Sequence, residues 1–266
     1  MRSFDDVEVV LLDLDGTVYE GSRPVPGAGQ AVERLRRSGL AVRFTTNTDS
    51  TSPAALVERL AGMGVPSEAG DFLTPVVLAA RLFRDLPAPR VLAIASPAVR
   101  DHLPAVLCGP GDRPTHVLVC DPSYGATYDD LDAAFRAVRG GAELVATQLG
   151  RIARRDDGEH LDTGGWVRLL EYATGVEARV LGKPSPEFFR LALETVGGTP
   201  ARALVVGDDL DADVAGARAV GARSVLVRSG KAARARGGRA GAEAGPEPDA
   251  EVDGLADVPG LLAGSG

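Results

Sequence analysis

The sequence predicts an α/β fold: a doubly wound parallel sheet carrying an inserted, smaller α/β domain. Three observations lead there. Short apolar runs rich in β-branched residues recur along the chain without the alternation of a half-exposed strand, so each reads as a strand buried on both faces. Helical stretches separate these runs, and such alternation builds a parallel sheet through right-handed crossovers. Residues 78–177 repeat the alternation on their own, which is enough for a separate domain with its own sheet.

In order, residues 9–12 form the first strand, followed by a helix over about 28–37, a strand over 40–44 and a helix over 53–63. Ser52-Pro53 supplies the N-cap and first-turn proline of that last helix, and Gly64 its stop. The inserted stretch reads strand 90–95, helix 97–106, strand 115–120, helix 128–139, strand 143–147 and helix 164–174. The first sheet then resumes with strand 178–181, helix 186–196, strand 203–206, helix 211–219 and strand 224–227. This divides the chain into a discontinuous core, 1–77 with 178–266, and a cap, 78–177. Residues 230–250 carry Gly, Ala, Arg, Glu and Pro without apolar periodicity and read as a mobile surface loop. Val252, Leu255, Val258, Leu261 and Leu262 restore the spacing of a last helix.

A net charge of -8 over 266 residues argues against a general nucleic-acid or membrane-surface binder. With no secretory signal and no apolar stretch of membrane-spanning length, the cytoplasm is the expected compartment. Cys108 and Cys120 lack metal-ligand spacing and read as buried, reduced thiols.

Chemistry is concentrated at strand ends. Asp13-Leu14-Asp15-Gly16-Thr17 follows the run Val9-Val10-Leu11-Leu12, and the carboxyl edge of an open α/β sheet is where ligands bind. An EF-hand calcium loop needs a glutamate at its twelfth position; counted from Asp13, that position holds Pro24. A second run, Ala203-Leu204-Val205-Val206, also ends in acid, at Asp208, Asp209, Asp211 and Asp213. Two such ends on neighbouring strands would repel unless a cation neutralised them, and hard oxygen ligands select Mg2+. Asp211 reads as a favourable charge at a helix N-terminus. Strand 40–44 ends in Thr45-Thr46-Asn47-Thr48, whose hydroxyl, amide and backbone N–H groups can hold a phosphoryl oxygen. Lys183, in Gly182-Lys183-Pro184, is one of only two lysines in an arginine-rich chain, and suggests a site that needs a compact ammonium.

Taken in order, the Asp13–Thr17 segment, Thr46-Asn47, Gly182-Lys183-Pro184 and Gly207–Asp213 resemble the four motifs of the haloacid dehalogenase-like (HAD) hydrolase superfamily. The long insertion between the second and third motifs resembles the NagD-type branch with a large α/β cap. Gly158 to Thr174 is similar to the phospholysine phosphohistidine inorganic pyrophosphate phosphatase group. The resemblance implies a Rossmann-like core and a Mg2+-dependent phosphatase of a small phosphorylated compound. Asp13 would be the nucleophile, forming an aspartyl-phosphate. Asp15 would protonate the leaving group and then deprotonate water. Mg2+ would be held by the Asp13 and Asp208 carboxylates and the Asp15 carbonyl, with Asp209 and Asp213 orienting water ligands or Lys183. Thr46, Asn47 and Thr48 would donate to phosphoryl oxygens, and Lys183 would balance their charge. Hydrolysis of phosphoamide or pyrophosphate bonds, phosphotransfer, and a non-enzymatic phospho-aspartate switch are alternatives on the same frame.

Residues 148–160 match the family's specificity loop. There Arg151, Arg154 and Arg155 either clasp an anionic leaving group or pair with Asp156, Asp157 and Glu159 as a solvated face. His160 and Trp166 read as packing or capping residues. The family's caps also imply a homodimer through this domain.

Overall fold

The computed structural model describes residues 4–109, 111–155, 157–235 and 246–263, leaving aside the side chains of residues 154–155 and 234–235. The chain divides into two compact units: residues 1–46, 53–73 and 183–266 in one, and 47–52 with 74–182 in the other.

The first unit is built on a six-stranded sheet. Its order is Ala250–Val252, Arg223–Val227, Ala203–Gly207, Val9–Asp13, Ala41–Thr45, Phe72–Leu73, and every pairing is parallel. Val9–Asp13 is central and buried along its whole length, as the unbroken apolar run requires. On one face Val10, Leu12, Phe44, Leu204 and Val206 join Val32, Leu35, Leu56 and Leu60, from helices Ala28–Arg37 and Pro53–Gly62, in a single core. Phe44 stacks on Phe72 at 5.3 Å between ring centroids.

The second unit has a five-stranded parallel sheet, in the order Arg179–Val180, Glu143–Ala146, His116–Val119, Arg90–Ile94, Val106–Leu107. Helices Tyr128–Arg139 and Thr163–Thr174 pack on it through Ala134, Val138, Val167 and Leu170. Both are capped locally. Thr127 and Asp130 form a reciprocal capping box, while Asp162 caps the second helix and left-handed Gly175 ends it. Trp166 packs against this core, as expected, and His160 pairs with Asp157 at 2.8 Å.

Several elements differ from the sequence reading. Arg179–Val180 pairs with Glu143–Ala146, so residues 178–181 complete the second sheet instead of resuming the first; the amides of Leu181 and Gly182 extend that pairing to Ala146 and Thr147. An apolar run states that a strand exists, not which sheet receives it. The helix read over 97–106 stops at Arg100, Pro104 follows, and Val106–Leu107 is an edge strand. Pro75–Asp85 is an additional helix, with Thr74 accepting from the Val77 amide and proline at its first turn. The 148–160 loop contains an antiparallel hairpin, Ile152–Arg155 with Gly158–Leu161. The segment read as a mobile loop begins with helix Gly230–Ala235 and ends in strand Ala250–Val252, while residues 236–245 lie outside the described residues. Among the described residues, no helix is long and apolar enough to cross a membrane.

Candidate active site

Leu12 lies beside Val206, and Asp13 beside Thr45. The parallel register therefore brings Asp13 and Asp208 out of adjacent strands at the same edge. These two strands flank the point where sheet order reverses: from Val9–Asp13 the chain first builds outward through Ala41–Thr45, then returns on the other side at Ala203–Gly207. Such a switch point opens the crevice in which α/β sheets bind ligands.

Lys183 is the hub of this edge. Only 4 % exposed, its Nζ donates to Asp13 Oδ1 at 2.5 Å, to Asp213 Oδ1 at 2.6 Å and to the Thr45 carbonyl at 3.4 Å. Burial alone would discharge the ammonium, but the two carboxylates outweigh it and hold its pKa above the ordinary lysine value. Asp213 reaches Lys183 because residues Leu210–Val214 form a π-helical turn that folds its carboxylate back over Gly207. A side chain at position 207 would collide with that carboxylate.

Oxygens of Asp13, Asp208 and Asp213 all lie within 4.8 Å of one another. At an effective dielectric near 20, each ionised pair at that separation costs at least about 3 kcal/mol. One ammonium among three ionised carboxylates still leaves the buried cluster with excess negative charge. Burial, followed by the charges of Asp13 and Asp213, pushes Asp208 up to about 8. Burial also lifts Asp213 to about 7, even though Lys183 draws it down. These acids must be neutralised by protons or by a cation. A buried all-oxygen donor set suits a hard divalent ion such as Mg2+.

A family profile for haloacid dehalogenase-like hydrolases matches residues 10–106, and a second, HAD-hydrolase-like profile matches 180–258. Phospholysine phosphohistidine inorganic pyrophosphate phosphatase of Rattus norvegicus is 35% identical over 264 residues, covering 96% of this chain and 94% of that protein. The chain belongs to the HAD-like hydrolase family. NagD from E. coli K-12 superposes with a TM-score of 0.83 at 23% identity, covering 94% of this chain and 98% of its own, and so shares the fold. Glycerol phosphate phosphatase from Mycobacterium tuberculosis, solved in complex with magnesium, is 33% identical with a TM-score of 0.75, covering 85% of this chain and 69% of its own.

As a HAD-like phosphatase the chain can be read residue by residue. Asp13, Asp208, Asp213 and Lys183 converge as described above. Burial and then the charge of Asp13 push the Asp15 carboxyl above the ordinary aspartate value. Asp209 does not touch Lys183; it accepts from Lys231 Nζ at 2.6 Å and from the amides of Asp211 and Ala212, so it caps the turn, and Asp211 stands as an acid in its first turn, as expected. Burial opposes ionisation of Asp209, but Lys231 overcomes it and holds the carboxyl below its ordinary value. Thr46 is buried, and its amide donates to the Leu73 carbonyl. Asn47 and Thr48 belong to the second unit. Arg151 is exposed at the start of the hairpin, whereas the side chains of Arg154 and Arg155, and Asp156, lie outside the described residues. Cys108 and Cys120 are buried and free.

Sequence reasoning missed Lys231. The signal was present, since the scarcity that singled out Lys183 applies equally to the other lysine. It also missed Asp49, which is buried among threonine hydroxyls in the second unit.

Proposed function

We propose that this chain is a Mg2+-dependent phosphatase that hydrolyses a small phosphorylated metabolite through an aspartyl-phosphate on Asp13. The observation that carries this reading is the meeting of Asp13, Asp208, Asp213 and Lys183 at the switch point of the sheet. The Asp13 and Asp208 carboxylates, with the Asp15 carbonyl, would hold Mg2+. When bound, the ion supplies charge neutralisation for the carboxylates and for an incoming phosphoryl group.

The chain's own residues divide the remaining work. Lys183 holds the Asp13 carboxylate in one orientation, which a weak nucleophile needs for in-line attack. An Asp13 oxygen bonds to phosphorus as the bond to the leaving group breaks, and Asp15 gives that leaving group its proton. The raised Asp15 pKa favours the protonated form required for this step. Asp15 then takes a proton from the water that cleaves the aspartyl-phosphate. Asp213 secures Lys183, and Asp209 secures Lys231. Thr46, Asn47 and Thr48 would donate to phosphoryl oxygens, with Arg154 and Arg155 meeting an anionic leaving group. A cytoplasmic location and a homodimer through the second unit complete the reading.

A second reading, in which the scissile bond is P–N or P–O–P, is favoured by the 35% identical relative named for phospholysine, phosphohistidine and pyrophosphate. A panel of phosphate esters, phosphoamidates and pyrophosphate, assayed with and without Mg2+, separates the two. Asp13→Asn is expected to lower turnover of 4-nitrophenyl phosphate at least about a thousandfold, about 4 kcal/mol of transition-state stabilisation, with an unchanged circular dichroism spectrum. Retained turnover in the folded variant overturns the nucleophile assignment.

A further inference from the structure

Both lysines of the chain stand at the acidic edge. The second belongs to the turn Ser229–Lys231, which follows strand Arg223–Val227. Ser229 Oγ donates to the Gly16 carbonyl at 2.6 Å, and the Gly230 amide donates to Glu20 Oε1 at 2.7 Å. The Lys231 amide donates to Asp208 Oδ2 at 2.5 Å, while its Nζ donates to Asp209 Oδ2 at 2.6 Å. One short turn thus ties the loop after the first strand to both aspartates of the fourth motif. Space is tight as well: a Cβ at Gly16 or at Gly230 would collide with the Asp208 carboxylate.

The Lys231 amide bonds to Asp208 Oδ2, and Gly16 and Gly230 crowd that same oxygen, so the protein encloses Oδ2 and leaves Oδ1 the freer oxygen for a cation. Mg2+ accepts single oxygens in a strict octahedron, whereas Ca2+ readily takes both oxygens of a carboxylate at higher coordination number. We propose that Lys231 is a positioning residue that holds Asp208 as a one-oxygen ligand and so biases the site toward Mg2+ and against Ca2+. The inference rests on the Mg2+ reading above. The ammonium locks Lys231 in place through Asp209, and the amide restrains the ligand itself.

Two variants separate these parts. Lys231→Met keeps the amide and loses the ammonium; Lys231→Pro loses both, at a first-turn helix position where proline is tolerated. Metal-free protein is titrated calorimetrically with Mg2+ and, separately, with Ca2+. The ratio of Ca2+ to Mg2+ affinity is expected to rise about tenfold in Lys231→Pro and less than about threefold in Lys231→Met, in line with losses seen when groups supporting a metal ligand are removed. A ratio unchanged in Lys231→Pro overturns the inference. If Lys231→Pro does not fold, Glu20→Ala, which frees the Gly230 amide, must move the ratio in the same direction, and no movement overturns the inference. Wild-type protein that binds neither ion overturns the Mg2+ reading, and this inference with it; binding with an unmoved ratio overturns the inference alone.

Discussion

Asp49 offers a prediction whose magnitude follows from the structure. It is 4 % exposed, and its Oδ2 lies 2.5 Å from Thr147 Oγ1 and 2.9 Å from Thr163 Oγ1. Thr147 Oγ1 also lies 3.0 Å from the Val119 carbonyl. Both hydroxyls donate to the carboxylate, but Thr147 shares its hydrogen with the Val119 carbonyl, so the pair only partly offsets the burial of a charged Asp49. Burial pushes Asp49 up to about 7; the hydroxyls of Thr147 and Thr163 oppose this, and the charges of Asp162 and Asp121 add to it. Cys120 beside it stays a neutral thiol, since burial and then the charge of Asp49 raise its pKa. The folded chain holds the Asp49 proton more tightly than the unfolded chain, whose carboxyl titrates near 3.8. The stability this confers is complete below the unfolded value and is lost as pH rises through the folded one, a difference of about 4 kcal/mol in all. Asp49→Asn mimics the neutral carboxyl at every pH. In urea titrations, wild type should lose about 3 kcal/mol relative to Asp49→Asn between pH 5 and pH 8.5. The other acids, Asp208 and Asp213 among them, cancel in that comparison. Parallel stability curves for the two proteins across this range would refute the reasoning.

Two further substitutions probe the acidic edge. Lys183→Met leaves Asp13 and Asp213 buried without their shared cation and should cost about 3–5 kcal/mol at pH 8 in denaturant titration, partly recovered by saturating Mg2+. A loss of the same size with and without Mg2+ would show that the ion does not share that charge. Gly16→Ala places a Cβ at a φ of 93°, where left-handed backbone costs about 1–2 kcal/mol, and drives it into Asp208. The melting temperature should fall and Mg2+ affinity should weaken more than about tenfold in calorimetry; unchanged affinity would mean that Asp208 is not a ligand.

The acidic ends were readable because period and composition are local. Val9–Asp13 and Ala203–Gly207 announce strands buried on both faces, and an aspartate directly beyond such a strand has few structural reasons to be there. The scarcity of lysine marked Lys183 before any distance was known. Other elements carried weaker signals. Arg179–Val180, Phe72–Leu73 and Ala250–Val252 are two or three residues long, too short for periodicity to show, and exist because a neighbouring strand receives them. Asp49 follows Thr46-Asn47-Thr48 as one more polar residue; only the approach of Thr147 and Thr163, about a hundred residues later, makes it a buried acid.

By itself, then, the sequence determined which side chains stand at strand ends and how many charges the chemistry has available, because backbone geometry maps neighbours in sequence onto fixed directions. Tertiary structure alone decided which ends meet. Asp13 and Asp208 become neighbours through the parallel pairing of two strands far apart in sequence. The wide turn at Leu210–Val214 selects Asp213 over Asp209 as the partner of Lys183, and the turn at Ser229–Lys231 gives the remaining lysine to Asp208 and Asp209. Such choices depend on long-range packing and on the cost of leaving a buried charge unpaired, and neither is written in any local stretch of residues.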